Sequence, residues 1–291
     1  MRFAHFILDG KECFGTAVGD SILPFSALPD SSPCRSFTLD SLLQDGNALE
    51  RLRKEVLPAS DEVADSLVGE DEVEFLGCVP RPSKIICVGL NYRSHALETG
   101  MPIPEVPVIF SKFSDTVSGH RQLIPVPPNA TQIDYEGELG LMIGKETFCT
   151  GRDEALARVF GFFPANDFSA RDLQLRTSQW LIGKTPDAFC PVGPYLVTAD
   201  EAGDPDSLRI QTHVNGELRQ DSSTSDMIFS CSSIVSYISQ YVRMRPGDII
   251  LTGTPSGVIL GKPSSQRNWL KKGDEVSVTI ERLGTLTNRL A

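Results

Sequence analysis

Two glutamates stand two residues apart inside an apolar stretch, QIDYEGELGLMIG, at residues 132–144. Side chains at i and i+2 of a β-strand point to the same face, so we expect Glu136 and Glu138 to project together. Two ionised carboxylates side by side repel each other unless a proton or a cation lies between them. Hard divalent cations such as Mg²⁺, Mn²⁺ and Ca²⁺ prefer such oxygen-rich sites. The pair therefore indicates a metal site, although a half-solvated strand with an acidic outer face shows the same alternation.

A third carboxylate, Asp167, follows the apolar stretch VFGFFPAN. We expect it at a corner between a strand and a helix, where Ser169 caps that helix together with Asp172. With Glu136 and Glu138 it would complete a set of three carboxylates suited to Mg²⁺ or Mn²⁺, with water or substrate as the remaining ligands. The alternative is an ordinary turn aspartate.

A histidine and a glutamate lie three residues apart in NYRSHALETG, directly after a short apolar stretch. On one helical turn the side chains of His95 and Glu98 meet, and Gly100 is well placed to end that turn. A carboxylate beside an imidazole fixes its tautomer and raises its basicity, which makes a general base for water. The simpler interpretation is an exposed ion pair.

Other polar side chains could contact an anionic substrate. Lys184 in WLIGKTPD has apolar neighbours and suits an oxyanion, although a solvated loop lysine would have the same neighbours. Arg171 and Gln174 share a helical face at i and i+3. Thr254 belongs to TGTPSG, residues 252–257, whose hydroxyl and N–H groups could hold an anion or form a plain turn. The sequence has no Walker A, G-x-G-x-x-G or G-x-S-x-G motif.

The elements that must position these residues are mostly strands. Short apolar stretches predict strands near residues 84–90, 106–113 and 159–166, among others. Asn215-Gly216 predicts a type I′ hairpin, and the spacing of apolar residues predicts a helix over 234–242. Many strands and few helices favour a β-rich α+β fold over a doubly wound sheet.

Residues 1–78 are expected to form a small α+β domain, and residues 79–291 a catalytic domain. Asp9-Gly10 indicates a hairpin, and leucines over 39–57 show helical spacing that is interrupted at a glycine. The acidic stretch 60–74 is expected to be a solvated linker. Two prolines follow it and mark the boundary.

Composition limits the class of function. Of 291 residues, 40% are hydrophobic and 22% charged, as in globular proteins with a large core. The formal net charge of −11 argues against a nucleic acid or an anionic membrane as a partner. The seven cysteines form no C-x-x-C pair, which argues against a zinc ribbon or a redox dithiol. Without a long apolar segment, we expect a soluble, cytoplasmic protein.

Six blocks of the sequence closely resemble the fumarylacetoacetate hydrolase family. In order, they are CVGLNYRSHALETG, IDYEGELGLMIGK, ANDFSARDLQLR, GKTPDAFCPVGP, GDIILTGTPSGV and GDEVSVTIERLGTLTNR. The resemblance runs from about residue 84 to 291, and the N-terminal unit is similar to that family's small lead domain. It implies a mixed β-roll of the family's C-terminal-domain type, assembled as a homodimer.

The resemblance also implies roles for individual residues. The family's metal ligands fall on Glu136, Glu138 and Asp167. Its water-activating pair falls on His95 and Glu98, and we expect the loop that bears them, residues 91–101, to close over substrate. Lys184 is a further catalytic residue. Its substrate contacts include Arg171, Gln174 and Thr254.

Three places depart from the family pattern. Asn91 stands where the founding hydrolase has a fourth acid, Thr185-Pro186-Asp187 stands where the family often has Ser-Phe-Asp, and His120 stands where a proline is common. The first departure makes the chain similar to the three-carboxylate branch, which includes acylpyruvate hydrolases, oxaloacetate decarboxylases and tautomerases, and dienedioate isomerases.

The implied function is metal-dependent hydrolysis of a C–C bond in a β-dicarbonyl, acylpyruvate-type 2-oxo acid. The ion, Mg²⁺ with Mn²⁺ or Ca²⁺ as alternatives, would chelate two oxygens of a small 2-oxo or diketo acid and stabilise its enolate. A decarboxylase or a tautomerase would use the same enolate, so both stay open. A non-catalytic small-molecule binder is an alternative of another class, against which the intact acids, His95 and Lys184 argue.

Overall fold

A computed structural model describes residues 1–56 and 64–291. Its strands are β1 (Arg2–Leu8), β2 (Lys11–Val18), β3 (Ser21–Pro24), β4 (Val68–Gly69), β5 (Glu74–Phe75), β6 (Ile85–Gly89), β7 (Val108–Lys112), β8 (Val117–Ser118), β9 (Leu123–Ile124), β10 (Ile133–Asp134), β11 (Gly137–Ile143), β12 (Val159–Asn166), β13 (Ser169–Ala170), β14 (Cys190–Pro191), β15 (Tyr195–Thr198), β16 (Arg209–Val214), β17 (Glu217–Ser223), β18 (Ile249–Leu251), β19 (Glu275–Ile280) and β20 (Gly284–Leu290). Its α-helices are α1 (Leu39–Gln44), α2 (Ala48–Val56), α3 (Arg93–Thr99), α4 (Arg152–Ala155), α5 (Arg171–Gln174), α6 (Leu181–Lys184), α7 (Ala199–Ala202) and α8 (Cys231–Ser239). The predicted β-rich α+β class is confirmed.

The largest sheet runs through both halves of the chain. Its strand order is β4-β3-β2-β1-β15-β12-β11-β18-β6-β7, with β5 also paired to β1. A second sheet has the order β17-β16-β19-β20-β9. Because β1 pairs with β15, Phe3 lies opposite Leu196, and the N-terminal strands extend the sheet of the larger unit. The domain boundary near residue 78 stays a prediction.

Strand β11 lies inside the large sheet, and its two faces enter two cores. Leu139, Leu141 and Ile143 pack with α8 and the second sheet. Met142, on the opposite face, packs with β6, β12 and the N-terminal elements. All seven residues of β11 are buried. The interpretation of this strand as a half-solvated acidic face is therefore wrong.

The structure contains the two hairpin turns and the short N-terminal helices that the sequence predicts. Asp9 and Gly10 have φ of 50° and 73°, as a type I′ turn between β1 and β2 requires. Asn215 and Gly216 form the same turn between β16 and β17. The helical stretch 39–57 divides into α1 and α2, as predicted. Helix α8 ends at Ser239, earlier than expected, because the chain tightens into a turn there.

Part of the predicted linker over 60–74 lies outside the described residues. Within the segments that the structure describes, no helix has the length and apolar character needed to cross a bilayer.

Candidate active site

The register between β11 and β12 brings three carboxylates together. Antiparallel pairing sets Gly137 opposite Asn166, so Glu136 and Asp167 are neighbours, and the Asp167 N–H donates to the Glu136 carbonyl at 2.9 Å. One carboxylate oxygen from each of Glu136, Glu138 and Asp167 lies within 4.8 Å of the other two. Their exposed fractions are only 6%, 2% and 0%. The residues predicted as metal ligands therefore form one buried cluster, and their binding of a metal stays a prediction.

Two buried lysines neutralise part of this cluster. Lys184 Nζ donates to Glu136 Oε2 at 2.5 Å and to Asp167 Oδ2 at 2.7 Å. Lys112 Nζ donates to Asp167 Oδ1 at 2.5 Å. Burial alone would lower the pKa of the Lys184 ammonium, but Asp167 and Glu136 outweigh burial and hold that pKa above its usual value. Lys184 thus stays charged, and it is more deeply buried than its sequence context suggested.

Arg171 forms the third buried cation and links two acids. Its Nε donates to Asp134 Oδ2 at 2.9 Å, and a terminal nitrogen donates to Glu136 Oε1 at 2.6 Å. The other terminal nitrogen donates to Gln174 Oε1 at 3.0 Å, so these two residues share a helical face as predicted. Burial would raise the pKa of Glu136, but Arg171 and Lys184 hold that pKa well below its usual range. Arg171 consequently fixes the orientation of Glu136.

Glu138 has the weakest compensation of the cluster. Its Oε2 accepts the Gly253 N–H at 2.7 Å, and no lysine or arginine of the described chain pairs with it. Burial, then Asp167 and Glu136, raises the pKa of Glu138 well above its usual value. Gly253 has φ of +101°, and a Cβ there would lie 2.8 Å from Asn91 Cβ, so this turn requires glycine.

The donor set fits a hard divalent cation. Three carboxylates supply oxygen ligands, and the shortage of positive charge at Glu138 is what a bound dication would correct. Glu136, Glu138 and Asp167 are the residues that would hold it.

Sequence reasoning missed two members of this network. Asp134 accepts N–H groups of Ile259 and Leu260 as well as Arg171, and it lies two residues before Glu136, so the same i, i+2 alternation could have found it. Lys112 ends β7, and its contact with Asp167 spans 55 positions of sequence. No local signal indicates that contact.

The predicted histidine–glutamate pair lies on α3, which ends at Gly100 with φ of 67°. His95 Nδ1 lies 3.6 Å from Glu98 Oε2, beyond hydrogen-bond range, and that buried nitrogen has no hydrogen-bond partner in the described chain. Glu98 instead accepts the Gly257 N–H at 3.0 and 3.1 Å. A Cβ on Gly261 would lie 2.3 Å from Glu98 Cδ, so the glycine leaves the space that Glu98 occupies.

Asn91 anchors the start of this segment. Its side chain donates to the carbonyls of Phe229 and Thr252, and accepts the Phe229 N–H at 2.8 Å. The side chain of Asn91, which the resemblance sets at the position of a fourth acid, is fully engaged with backbone groups. It therefore holds α3 against the β18 turn.

Two N–H groups of the segment 252–257 donate to the chain's own carboxyl groups, and binding of an external anion there stays a prediction. Gly253 and Gly257 donate to Glu138 and Glu98, as described above. Thr254 Oγ1 donates to the Gly137 carbonyl and accepts from Gln220 Nε2, both at 2.9 Å. One lone pair of Thr254 Oγ1 therefore remains for the predicted contact with substrate.

The expected cap at Ser169 is wrong. Ser169 lies in β13, and its hydroxyl donates to the Asp167 carbonyl, whereas Ala170 precedes α5 without a side-chain cap. Asp172 accepts from the N–H and hydroxyl of Thr131 instead. Pairing with β10 places Ser169 one residue too early to cap the helix.

A cavity of about 300 Å³ adjoins the cluster, at the small end of ligand pockets. Its polar lining comprises Glu136, Glu138, His95, Glu98, Thr99, Arg171, Gln174, Lys184, Thr254 and Arg267, with Asp167 fully buried nearby. Its apolar wall includes Val88, Met101, Phe110, Leu175, Trp180 and Leu260. Tertiary structure thus gathers the predicted substrate contacts and catalytic residues around one cavity.

A family model described as fumarylacetoacetate (FAA) hydrolase C-terminal matches residues 84–291. This chain belongs to the fumarylacetoacetate hydrolase family. It is 41% identical over 278 residues to oxaloacetate tautomerase FAHD2A, mitochondrial, of Homo sapiens, covering 94% of this chain and 85% of that protein. It is 44% identical over 235 residues to oxaloacetate tautomerase YisK of Bacillus subtilis (strain 168), covering 79% and 77%.

Solved structures share the fold over the whole chain. Fumarylacetoacetate hydrolase from psychrophilic Exiguobacterium antarcticum superposes with a TM-score of 0.81 at 32% identity, covering 100% of this chain and 99% of that one. Maleylpyruvate hydrolase from Sphingobium sp. SYK-6, in complex with manganese(II) ion and pyruvate, superposes with a TM-score of 0.76 at 27% identity and the same coverage. The predicted family and its fold are thereby confirmed, and the chain is a member of a family of enzymes.

Proposed function

We propose that this chain is a divalent-metal-dependent enzyme that interconverts the keto and enol forms of a β-dicarbonyl 2-oxo acid such as oxaloacetate. One observation carries the proposal: the buried cluster of Glu136, Glu138 and Asp167 adjoins the cavity that His95 and Glu98 also line. The similarity to oxaloacetate tautomerases at 41% and 44% identity supports this substrate class.

Each part of the site has a task in this reaction. Bound at the three carboxylates, Mg²⁺ or Mn²⁺ would polarise the substrate carbonyl and stabilise negative charge developing on its oxygen. His95 Nδ1 faces Glu98, so Nε2 takes the proton from the carbon between the two carbonyl groups. That proton returns to the carbonyl oxygen, which completes the enol. The Glu98 carboxylate stabilises the imidazolium between the two transfers.

The walls of the cavity assist by position and by exclusion of water. Lys184 Nζ, held between Glu136 and Asp167, keeps positive charge beside the oxygens of the substrate. The rings of Phe110 and Trp180 contact each other at 5.3 Å between centroids and cover one side. Because this apolar wall excludes water, it strengthens the electrostatic contacts between the substrate and the charged groups opposite.

C–C bond hydrolysis of an acylpyruvate, the function first predicted, is the second candidate. The similarity to maleylpyruvate hydrolase favours it. In that reaction His95 would take its proton from water rather than from carbon. Decarboxylation of oxaloacetate would need no such water.

Product identification separates these reactions. The protein with Mg²⁺ or Mn²⁺ is supplied with enol oxaloacetate and with an acylpyruvate, and the products are followed by ultraviolet absorbance and mass spectrometry. Rapid loss of the enol without loss of CO₂ supports tautomerisation, and formation of pyruvate plus a carboxylic acid from the acylpyruvate supports hydrolysis. His95→Ala should lower either rate by about 10²–10⁴-fold, whereas His213→Ala, outside the cavity, should not. Unchanged rates with excess chelator would refute the metal requirement.

We also propose a homodimer in the cytoplasm. Strand β7 ends the large sheet, and Ile109, Phe113 and Ile182 near it are exposed apolar side chains, which supports an apolar contact between copies. Sedimentation velocity at micromolar concentration should give the mass of two chains; a single-chain mass would contradict this. The name of the human relative includes the word mitochondrial. Imaging of the tagged chain in cells therefore tests the proposed cytoplasmic location.

A further inference from the structure

Arg267 lies on the segment between β18 and β19 and contributes to two depressions. It lines the cavity of the site, and it also lines a neighbouring surface groove. Its Nε donates to the Lys262 carbonyl at 2.8 Å, which fixes the base of the guanidinium group. In residues 1–56 and 64–291, no carboxylate lies within ion-pair distance of Arg267. Both terminal nitrogens are therefore available to a ligand.

The other cations that line this cavity are already engaged. Arg171 is bound to Asp134, Glu136 and Gln174, as described above. Lys184 is bound to Glu136 and Asp167. Arg267 is thus the cavity's unpaired cation within the described chain.

The cavity consequently has two polar parts of opposite character. One part is the carboxylate cluster that would hold a metal, and the other is the Arg267 guanidinium. Apolar side chains, including Trp180 and Leu260, line the same cavity. A ligand matching this lining has a 2-oxo acid group for the metal, a short carbon chain, and a second anionic group.

We propose that Arg267 binds the second carboxylate of a 2-oxo diacid and thereby selects diacids over monoacids. A guanidinium with two free terminal nitrogens forms a bidentate pair with a carboxylate, which gives both direction and energy. The adjoining groove is lined by Arg219, Lys262 and Lys271 besides Arg267, against one acid, Asp274, so its lining is positive in a chain whose net charge is −11. The proposal rests on the proposed function in one respect, because it takes the 2-oxo acid group to lie at the carboxylate cluster.

Matched ligands that cannot be cleaved isolate this contact. The full chain with Mn²⁺ is titrated calorimetrically with 2-oxoglutarate and 2-oxopentanoate, and with 2-oxoadipate and 2-oxohexanoate. Within each pair the carbon number is equal and only the distal carboxylate is exchanged for a methyl group. The variants are Arg267→Gln and Arg267→Lys. The control is Arg176→Gln, an exposed arginine whose Nε also donates to a carbonyl but which lies outside the cavity lining.

We expect wild type and Arg176→Gln to bind at least one diacid more tightly than its monoacid partner. Arg267→Gln should weaken diacid binding by about 10–100-fold, the loss typical of a charge-assisted hydrogen-bonded pair, and change monoacid binding less than about twofold. Arg267→Lys, which keeps the charge but not the bidentate geometry, should fall between them.

Two results would overturn the proposal: no diacid preference in wild type, or a preference that Arg267→Gln retains. Because these measurements need no turnover, they stand apart from the proposed function. Absence of tautomerisation with normal, Arg267-dependent diacid binding would refute the reaction and leave the binding role of Arg267 intact.

Discussion

At the scale of single residues, the buried acids differ in how they are compensated. Glu136 is bonded to Lys184 and Arg171, whereas Glu138 is bonded to a single backbone N–H. Removing one member of a buried ion pair leaves an uncompensated charge, which costs about 3–5 kcal/mol. Removing an acid that has no cationic partner carries no such cost. The two glutamates should therefore respond differently to the same substitution.

Glu138→Gln should lose metal affinity by roughly 100-fold or more, since a ligand should cost at least as much as the residues that orient it. Its free energy of unfolding should change by less than about 1 kcal/mol, because the amide oxygen still accepts the Gly253 N–H. Glu136→Gln, the matched control, should lose metal affinity and also about 3–5 kcal/mol of stability. Mn²⁺ calorimetry and urea unfolding measure the two effects. Wild-type Mn²⁺ affinity in Glu138→Gln would exclude it as a ligand.

His120 predicts a pH dependence of stability that is separate from the site. It is 6% exposed, packs edge-on against Phe75 at 5.2 Å, and accepts the Thr287 N–H at Nδ1. Burial, then Arg121, lowers its pKa from 6.5 to about 4. Between these pH values the unfolded chain binds a proton that the folded chain does not, so stability contributed by neutral His120 is lost as pH falls below 6.5.

The loss attributable to His120 should reach about 2 kcal/mol at pH 5 relative to pH 7.5. His120→Asn, whose amide can still accept the Thr287 N–H, should lose that part of the pH dependence in urea unfolding. His213→Asn should retain it. An equal pH dependence in wild type and His120→Asn would contradict the assignment.

At the scale of elements, contacts along its length hold α3 and the residues before it, among them Arg93 to the Met227 carbonyl. Asn91 is bonded to Phe229 and Thr252, Ser94 to Asp226, and Glu98 to Gly257. The contact of Asn91 is buried and multiple, while Glu98 is partly exposed. The predicted closure of 91–101 over substrate should therefore pivot at Asn91 and involve the residues after it.

Hydrogen exchange tests this pivot. With Mg²⁺ and oxalate, a planar analogue of the 2-oxo acid group, amides over residues 95–101 should exchange more slowly than without ligand. Amides of β11 outside the cavity, such as Leu141, should be unchanged because that strand is buried in the sheet. Equal protection of 95–101 in both states would argue against closure.

At the scale of the whole molecule, the N-terminal strands share both a sheet and a core with the site. Phe3 is fully buried, pairs opposite Leu196, and belongs to the same apolar cluster as Met142 of β11. An N-terminal unit that shares its sheet and its core with the rest of the chain has little stability when it folds alone. We therefore expect cooperative unfolding of the two predicted domains.

Calorimetry of the full chain should show one thermal transition. Phe3→Ala, which leaves a large cavity at that junction, should cost about 3–5 kcal/mol and move the entire transition to lower temperature. Leu97→Ala, at an exposed position of α3, is the control and should leave it in place. Two transitions, of which Phe3→Ala moves only one, would show independent domains.

Local periodicity was enough to predict much of this molecule. Asp9-Gly10 and Asn215-Gly216 form their turns because the required positive φ is a property of two adjacent residues. Glu136 and Glu138 point the same way because a strand repeats every two residues, whatever surrounds it. The six sequence blocks that resemble the family predicted membership in it, and the resemblance placed Asp167, His95 and Lys184 in one site.

Only the tertiary structure decides how these groups are charged and bonded. The sheet register sets Asp167 beside Glu136. Because both faces of β11 are buried, the carboxylates lose their hydration, and Lys112 compensates part of their charge by donating to Asp167. The role of Asn91 depends likewise on partners far away in sequence. The availability of Arg267 depends on which side chains of the described chain lie near its guanidinium group. The physical reason is that hydrogen bonds, desolvation and ion pairing depend on distances in space, which sequence separation does not fix.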